Sequence, residues 1–461
     1  MIIDTELLRR HDKPGPRYTS YPTAPQFGPS FGAEQLRTVI AQSNEGENPR
    51  KLSLYVHVPY CNSPCFYCGC NRIITRDHSR AQPYVDRLLK EFDAIAPLFE
   101  DHREVVQLHF GGGTPNFLTP QQLADVVDAL RARFHFSDSD DRDISIELDP
   151  RFVTPDEIGE LAAIGFNRAS LGVQDFDPAV QEAVNRIQSF EMTRDVVEAC
   201  RKHGMQSVNL DLIYGLPLQT VEGFSRTLEQ VLELRPDRLA VYGYAHMPEL
   251  FRPQRQLNAF DLPKPEVRIA LLQKSIERLT EAGYQYIGMD HFALPDDSLA
   301  KAQRDGTLHR NFMGYTTHAE SDLVGFGVSS ISHIGPSFSQ NPRTLPEYEG
   351  AIDDDRMPVW RGMHLNDDDL LRADVIQQLM CMGRIDKHDI ASRHKIDFET
   401  YFAESLAKLE PLRDEGLVEL QPDAVVATEK GRFLLRILAM CFDAYLGGKA
   451  GAETPRFSKA I

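Results

Sequence analysis

A rhythm of strands and helices limits what this chain can become. From residue 51 onward, short β-rich runs appear at Leu52–Val58, Val105–Phe110, Ile144–Leu148, Arg168–Val173, Val208–Ile213 and Leu239–Tyr244. Between them lie segments of helical periodicity, among them Tyr84–Phe99, Pro120–Phe134, Pro155–Ile164 and Glu191–His203. Parallel neighbours need a long crossover, usually a helix, so this alternation predicts an α/β protein built on a parallel sheet. Polar residues recur at the C-terminal ends of the runs, where (β/α) barrels gather their functional groups. A full or partial barrel is therefore preferred to a flat doubly wound sheet. A further run, Tyr284–Phe292, is expected to extend the sheet.

The flanks read differently, giving an arm at residues 1–50, a partial (β/α) barrel at 51–355 and a mainly helical, winged-helix-like unit at 356–461. The arm contains Pro14-Gly15-Pro16-Arg17-Tyr18-Thr19-Ser20-Tyr21-Pro22, which works against regular helix, and one expected helix, Ala33–Ser43. In the last unit, Leu370–Met382 and Phe398–Glu415 read as helices, the second kinked at Pro411. Leu417–Ala427 reads as a hairpin around Gln421-Pro422-Asp423, and Lys430–Leu446 as a final helix. Winged helices often bind DNA. A net charge of −18 argues against any nucleic-acid surface and for a packing or lid role. The sequence has no uninterrupted apolar stretch of membrane-spanning length and no export-type N-terminus, so a cytoplasmic, membrane-free protein is expected.

Four of the seven cysteines crowd into Tyr60-Cys61-Asn62-Ser63-Pro64-Cys65-Phe66-Tyr67-Cys68-Gly69-Cys70. Cys200, Cys381 and Cys441 are isolated in apolar surroundings and read as small core residues. Pro64 and Gly69 make a helix implausible here, and a Cys65–Cys68 redox disulfide leaves Cys61 and Cys70 unexplained. A zinc site is the serious rival, although structural zinc usually draws its cysteines as two separated pairs. One tight loop straight after a strand instead suits a [4Fe–4S] cluster held by Cys61, Cys65 and Cys68, with one iron open to a small molecule.

Gly111-Gly112-Gly113-Thr114-Pro115 follows the second run. Its exposed backbone groups could cradle a ligand, but it lacks the Lys-Ser/Thr pair of a phosphate-binding loop. Period-two alternation groups Ser145, Glu147 and Asp149 on one side of their run, and Asn209 with Asp211 on theirs. Buried carboxylates need partners, and at barrel strand ends that partner is often a ligand. Gln174 is similarly placed, whereas Arg186, taken alone, reads as surface. His57, His109, His246, His291, His309 and His318 show no metal-ligand spacing and read as structural.

The spacing C-x3-C-x2-C, with an aromatic before the last cysteine, resembles the signature of the radical S-adenosylmethionine (SAM) enzymes. That resemblance implies a full or partial (β/α) barrel. It also implies a cluster whose free iron binds SAM and whose electron generates a 5′-deoxyadenosyl radical. Over nearly its whole length the chain is similar to the oxygen-independent coproporphyrinogen III oxidases (dehydrogenases) of heme biosynthesis. The match is carried by Pro14–Thr23, the loop through Cys70, Gly172–Phe176, Asn209–Pro217, Tyr244–Pro248, Gly288–Phe292 and His309–Thr317.

The resemblance implies oxidative decarboxylation of two propionates of coproporphyrinogen III to vinyls, giving protoporphyrinogen IX. By carry-over, Cys61, Cys65 and Cys68 ligate the cluster, and Tyr55, Gly112, Glu147 and Ile331 contact the cluster-bound SAM. A second SAM would meet Tyr67, Gly113, Thr114, Gln174, Arg186, Asp211 and Ala245. Tyr55 and Cys70 are expected to matter for catalysis, Cys70 without ligating the cluster. The substrate's four carboxylates call for basic residues, with Arg17, Arg72, Arg252, Arg255 and Arg310 as candidates. A flavodoxin-like electron donor, an electron acceptor and a monomeric chain are expected. The alternative is a heme chaperone, but such relatives typically lack the Arg17–Thr23 arm and carry an aromatic in place of Cys70.

Overall fold

A computed structural model describes residues 5–446 and 457–459. Its centre is six parallel strands, β1 (Lys51–Val58), β2 (Glu104–Gly112), β3 (Asp143–Leu148), β4 (Arg168–Gln174), β5 (Ser207–Tyr214) and β6 (Arg238–Gly243). Each pairs with the next in chain order. A doubly wound sheet reverses its strand order at a switch point. No reversal occurs among these six, so right-handed crossovers put the intervening helices on one face and the sheet curls into a partial barrel.

The edges do not meet. Beyond β6 the expected seventh run divides at Met289-Asp290 into the hairpin β7 (Gln285–Gly288) and β8 (His291–Ala293), with β8 antiparallel to β6. Beyond β1 lies β9 (Ser321–Phe326), parallel to it, and then the antiparallel β10 (Ile331–Ile334), β11 (Ser337–Gln340) and β12 (Arg361–His364). The reading of the sequence had not marked these last four as strands.

One face of the sheet is the core. Ile144, Ile146, Leu148, Ala169, Leu171, Val173, Val208, Leu210 and Leu212 are buried and belong to one apolar cluster with Val126, Leu130, Ile158, Leu161, Val196 and Val197 of the helices. The alternate residues, Ser145, Glu147, Arg168, Ser170, Asn209 and Asp211, line the lumen. Local chemistry sets the helix boundaries. Pro155–Ile164 begins with Pro at its first position and a Thr154/Glu157 capping box, and stops at Gly165 in the left-handed region, φ 112°.

In the last unit the helix Asp367–Met382 is capped by Asn366. The hairpin is Val418–Leu420 with Ala424–Ala427, joined by a third strand, Arg384–Asp386. Two expectations need correction. Phe398–Glu415 is broken at Phe402, into Phe398–Tyr401 and Ala403–Asp414, and Pro411 lies inside the second piece without ending it. The final helix is short: a 3-10 turn, Gly431–Leu434, leads into Leu435–Met440. In the arm, Ala33–Ser43 is helical as expected, and Thr5–His11 forms another helix. Buried Arg436 ties the arm to this unit by donating to the carbonyls of Gly15 and Pro16 and, at 2.8 Å, of Lys459. Of the isolated cysteines, Cys200 and Cys381 are buried and Cys441 half-buried.

Candidate active site

The cysteine loop leaves the C-terminal end of β1 and is pinned where it starts. Tyr60–Cys61 pairs with Ile73–Ile74, and the Ile73 amide donates to the Pro59 carbonyl at 2.7 Å. Arg72 folds back over the loop and donates to the carbonyls of Cys65, Cys68 and Cys70, each at 3.3 Å. Arg72, a substrate candidate by sequence, is therefore spent on the loop itself.

Donors converge on all three sulfurs. Thr114 Oγ1 donates to Cys61 Sγ at 3.3 Å, and the Cys70 amide to Cys68 Sγ at 3.4 Å. Arg151 and Arg186 each reach Cys65 Sγ at 3.6 Å. Sulfur is a weak acceptor as a thiol and a strong one as a thiolate, so this donor set suits charged, soft metal ligands. Hydrogen bonding from Cys70 lowers the Cys68 pKa, while burial pushes Cys61 up to about 11, so its proton is held until a metal displaces it. Among the described residues no three His, Cys, Asp or Glu side chains converge as ligands of a single ion. Three thiols in one loop, with donors on their sulfurs, fit a larger cluster.

Arg186 corrects the isolated reading of it as surface. It is 6% exposed, donates to Asp149 at 3.0 Å and to the Gly172 carbonyl at 2.7 Å, and leaves its Nε without a partner. Asp149 lies past the end of β3, caps the turn Pro150–Phe152 and holds both Arg186 and Arg151. It is a strut for the loop rather than a third lumen residue beside Ser145 and Glu147.

Beside the loop, a cavity of about 370 Å³ brings together Tyr55, Cys70, Gly112, Glu147 and Ile331. Gly112 has φ 114°, and a Cβ there would lie 2.5 Å from the His57 ring, so only glycine fits. A Cβ on Gly113 would meet the Pro59 backbone at 2.7 Å. This leaves a cradle with backbone exposed to a ligand. Burial pushes Glu147 up, but the His109 ring 3.5 Å away and the Gly112 amide at 3.2 Å outweigh it and hold the carboxylate ionised. Sequence reading treated His109 as structural, yet its ring is part of this wall. Tyr55 Oη lies 3.0 Å from His57 Nδ1, and His57 Nε2 lies 3.0 Å from the Asn71 carbonyl.

Of the residues assigned to a second SAM, Asp211 and Ala245 line different cavities. Asp211 faces the lumen, where it accepts from Asn209 at 2.8 Å and Ser170 at 3.3 Å. Its pKa is raised to about 7, first by burial and then by the charge of Glu147. Gln174, at φ 70°, has a buried Oε1 without a partner. Tyr67 packs with Val184, Leu216 and Tyr244, and its carbonyl shares the Gln254 amide with that of Ala245.

Ala245 opens onto a third cavity, of about 360 Å³, lined by Arg17, Tyr214, Arg268, Asp290 and Arg436. Arg17 pairs with Asp290 at the tip of the β7–β8 hairpin, and Arg310 donates to the Arg17 carbonyl from behind. Arg268 and Arg436 escaped the sequence reading, because neither sits in a motif and only the fold brings them beside Arg17. Arg252 and Arg255 lie outside this cavity, and Arg255 donates to the Pro248 carbonyl at 2.8 Å.

A curled parallel sheet with three cysteines in the loop after its first strand defines a radical SAM enzyme, and residues 55–231 match the model of the Radical SAM superfamily. Residues 365–434 match the HemN C-terminal domain. The oxygen-independent coproporphyrinogen III oxidase of Pseudomonas aeruginosa is 49% identical, over 99% of this chain and 98% of that one. That of Escherichia coli strain K12 is 47% identical, again over 99% and 98%. The solved coproporphyrinogen III oxidase of Escherichia coli, a radical SAM enzyme, superimposes with a TM-score of 0.92 at 46% identity, over 97% of this chain and all of the other. The chain belongs to the family of oxygen-independent coproporphyrinogen III oxidases.

Proposed function

We propose that this chain catalyses the oxygen-independent oxidative decarboxylation of two propionates of coproporphyrinogen III to vinyls, giving protoporphyrinogen IX. The observation that carries this reading is an adjacency. A thiol loop built for a cluster abuts a glycine-cradled cavity, and an arginine-rich cavity lies on the same end of the barrel. Held at these residues, a [4Fe–4S] cluster and SAM would supply the one-electron radical chemistry that hydrogen removal from a propionate β-carbon requires. For each propionate one hydrogen atom, one electron and CO₂ leave the substrate, and the vinyl carbon–carbon double bond forms.

Cys61, Cys65 and Cys68 hold the cluster, and Thr114, Arg151, Arg186 and the Cys70 amide donate to their sulfurs. Tyr55, Gly112, Glu147 and Ile331 position the cofactor beside it. Ionised Glu147 is matched to a cationic group, and Gly112 to a close backbone approach. Tyr67, Gly113, Thr114, Gln174, Arg186, Asp211 and Ala245 hold a second SAM. The unpartnered buried atoms of Gln174 and Arg186 support this, since such atoms normally find a partner. Arg17 and Arg268 receive substrate carboxylates, for which guanidinium is the matching fork, while Arg436, engaged by the Gly15, Pro16 and Lys459 carbonyls, holds the wall in place. Cys70, at the cavity wall beside Tyr55, acts on the substrate side.

The reading places the chain in the cytoplasm as a monomer, fed by a flavodoxin-like donor and drained by a separate electron acceptor. It keeps the division into arm (1–50), barrel (51–355) and C-terminal unit (356–461). Among the described residues no helix is long and apolar enough to cross a membrane. Anaerobic reconstitution with iron, sulfide, SAM, reductant and coproporphyrinogen III tests it. Protoporphyrinogen and 5′-deoxyadenosine should form together, and product without 5′-deoxyadenosine would overturn the reading. Cys65→Ser should abolish both.

A further inference from the structure

The outer face of the cysteine loop carries a surface that the decarboxylation leaves unused. The described residues expose nine large hydrophobic side chains, and four of them, Ile74, Phe152, Ile187 and Met192, surround this loop. Ile187 is 64% exposed. Scattered exposed apolar residues are ordinary, whereas a cluster of them marks a contact surface. Phe152, Ile187 and Met192 line an open groove of about 780 Å³, which also includes Asn62 and Ser63, the residues between Cys61 and Cys65. Ile74 flanks it, on the short strand paired with Tyr60–Cys61.

The charge of this groove differs from that of the molecule. The chain carries −18, yet the groove is lined by Arg76, His78 and Arg151, the last paired with Asp149 at 2.7 Å, and by a single carboxylate, Glu157. That carboxylate is engaged in its own helix cap, accepting from the Thr154 amide at 2.7 Å and hydroxyl at 2.9 Å. Asp77, at the rim, caps the turn that follows it through Ser79. The way inward is short. The Arg151 guanidinium lies 5.2 Å from the exposed Phe152 ring and donates to Cys65 Sγ at 3.6 Å.

Resting on the functional reading above, we propose that this groove docks the small one-electron carrier protein that reduces the cluster, through an acidic rim around an apolar patch. One electron would leave the reduced carrier, which becomes one electron more oxidised, and would reach a cluster held by the loop from the side where Arg151 meets Cys65. No bond is made or broken in that step. The carrier's chemistry follows from the surface: an apolar centre flanked by the Arg76 cation is complemented by apolar residues rimmed with Asp and Glu. Opposite charge steers and orients such encounters, and electron-transfer contacts are small, often burying less than ~1,200 Å².

The test uses the full-length, anaerobically reconstituted chain with reduced flavodoxin and, in parallel, a reduced acidic [2Fe–2S] ferredoxin. Cluster reduction is followed by absorbance and electron paramagnetic resonance, and complex formation by calorimetry on the oxidised proteins. At least one carrier should reduce the cluster with saturation, and its affinity should fall as salt is raised. Arg76→Glu combined with Ile187→Glu should raise the half-saturating carrier concentration about tenfold. Reduction of the same variant by dithionite, and its SAM binding, should remain as in the parent. Phe260→Glu, at a 97% exposed residue outside the groove, should change nothing. Unchanged half-saturation in the double variant overturns the proposal. So does the absence of saturable reduction by both carriers while dithionite still works. A chain that assembles no reducible cluster overturns the functional reading instead, so the two failures are distinguishable.

Discussion

Asp211 illustrates how burial of one side chain becomes a pH dependence. With its pKa raised to about 7, the carboxyl is largely neutral at pH 6 and largely ionised at pH 8. The ionised form is the one that attracts a cationic cofactor. At the second site proposed for SAM, binding should therefore be about tenfold tighter at pH 8 than at pH 6, and Asp211→Asn should flatten that profile in equilibrium dialysis. Tyr55 can be read as closely. The Asn71 carbonyl only accepts, so His57 Nε2 carries the proton. Burial lowers the His57 pKa and keeps the ring neutral, so Nδ1 must accept the Tyr55 proton. The phenol then has only lone pairs to offer the cavity. Tyr55→Phe should weaken SAM binding by about 1 kcal/mol and leave the cluster spectrum unchanged. At this scale the sequence was legible where chemistry is local, as with Cys61, Cys65, Cys68 and the Gly112 turn. Arg186 misled because its burial comes from residues distant in sequence, and Arg268 and Arg436 gave no local signal at all.

The helix Ala81–Ile95 does more than cover β1. Its buried Glu91 accepts from the Gly327 amide at 2.8 Å, Asn341 at 2.7 Å and Tyr348 at 2.7 Å, and so braces the turn that leads into Ile331. Burial raises the Glu91 pKa from the usual 4.5 to about 7. The folded chain thus holds this proton more tightly than the unfolded one. Stability contributed by the neutral acid is complete below pH ~4.5 and is lost as pH rises to about 7, on the order of 3 kcal/mol. Glu91→Gln should remove this component from the difference between urea midpoints at pH 5 and pH 8. Elements with a clear apolar alternation, such as Ser207–Tyr214, were plain in the sequence. Ser337–Gln340, of Ser-Phe-Ser-Gln, was not, since it owes its strand form to the neighbours that pair with it. The division of Phe398–Asp414 at Phe402 rather than Pro411 has the same origin. Phe402 is buried against Phe398 and Phe442, so packing sets the break.

Across the whole molecule, the barrel was legible because its order follows the chain, while the closing of the arginine-lined cavity was not. That wall joins Gly15 and Pro16 to Arg436, and Gly15 to Ser458 through an amide-to-carbonyl bond of 3.1 Å. Arg436→Ala removes donors from several buried carbonyls and should cost about 2–4 kcal/mol, read as a fall in thermal midpoint together with faster protease cutting in the arm. The Arg436–Pro16 contact spans 420 positions of sequence. Closing so long a loop is entropically expensive and brings few local contacts with it. These bonds lie outside the barrel sheet, so they can open locally while the barrel strands stay paired. In hydrogen exchange the Gly15 amide should lose its proton long before that of Leu54 in the first barrel strand. The basic cavity would then open and close as a unit while the barrel beneath it stays folded.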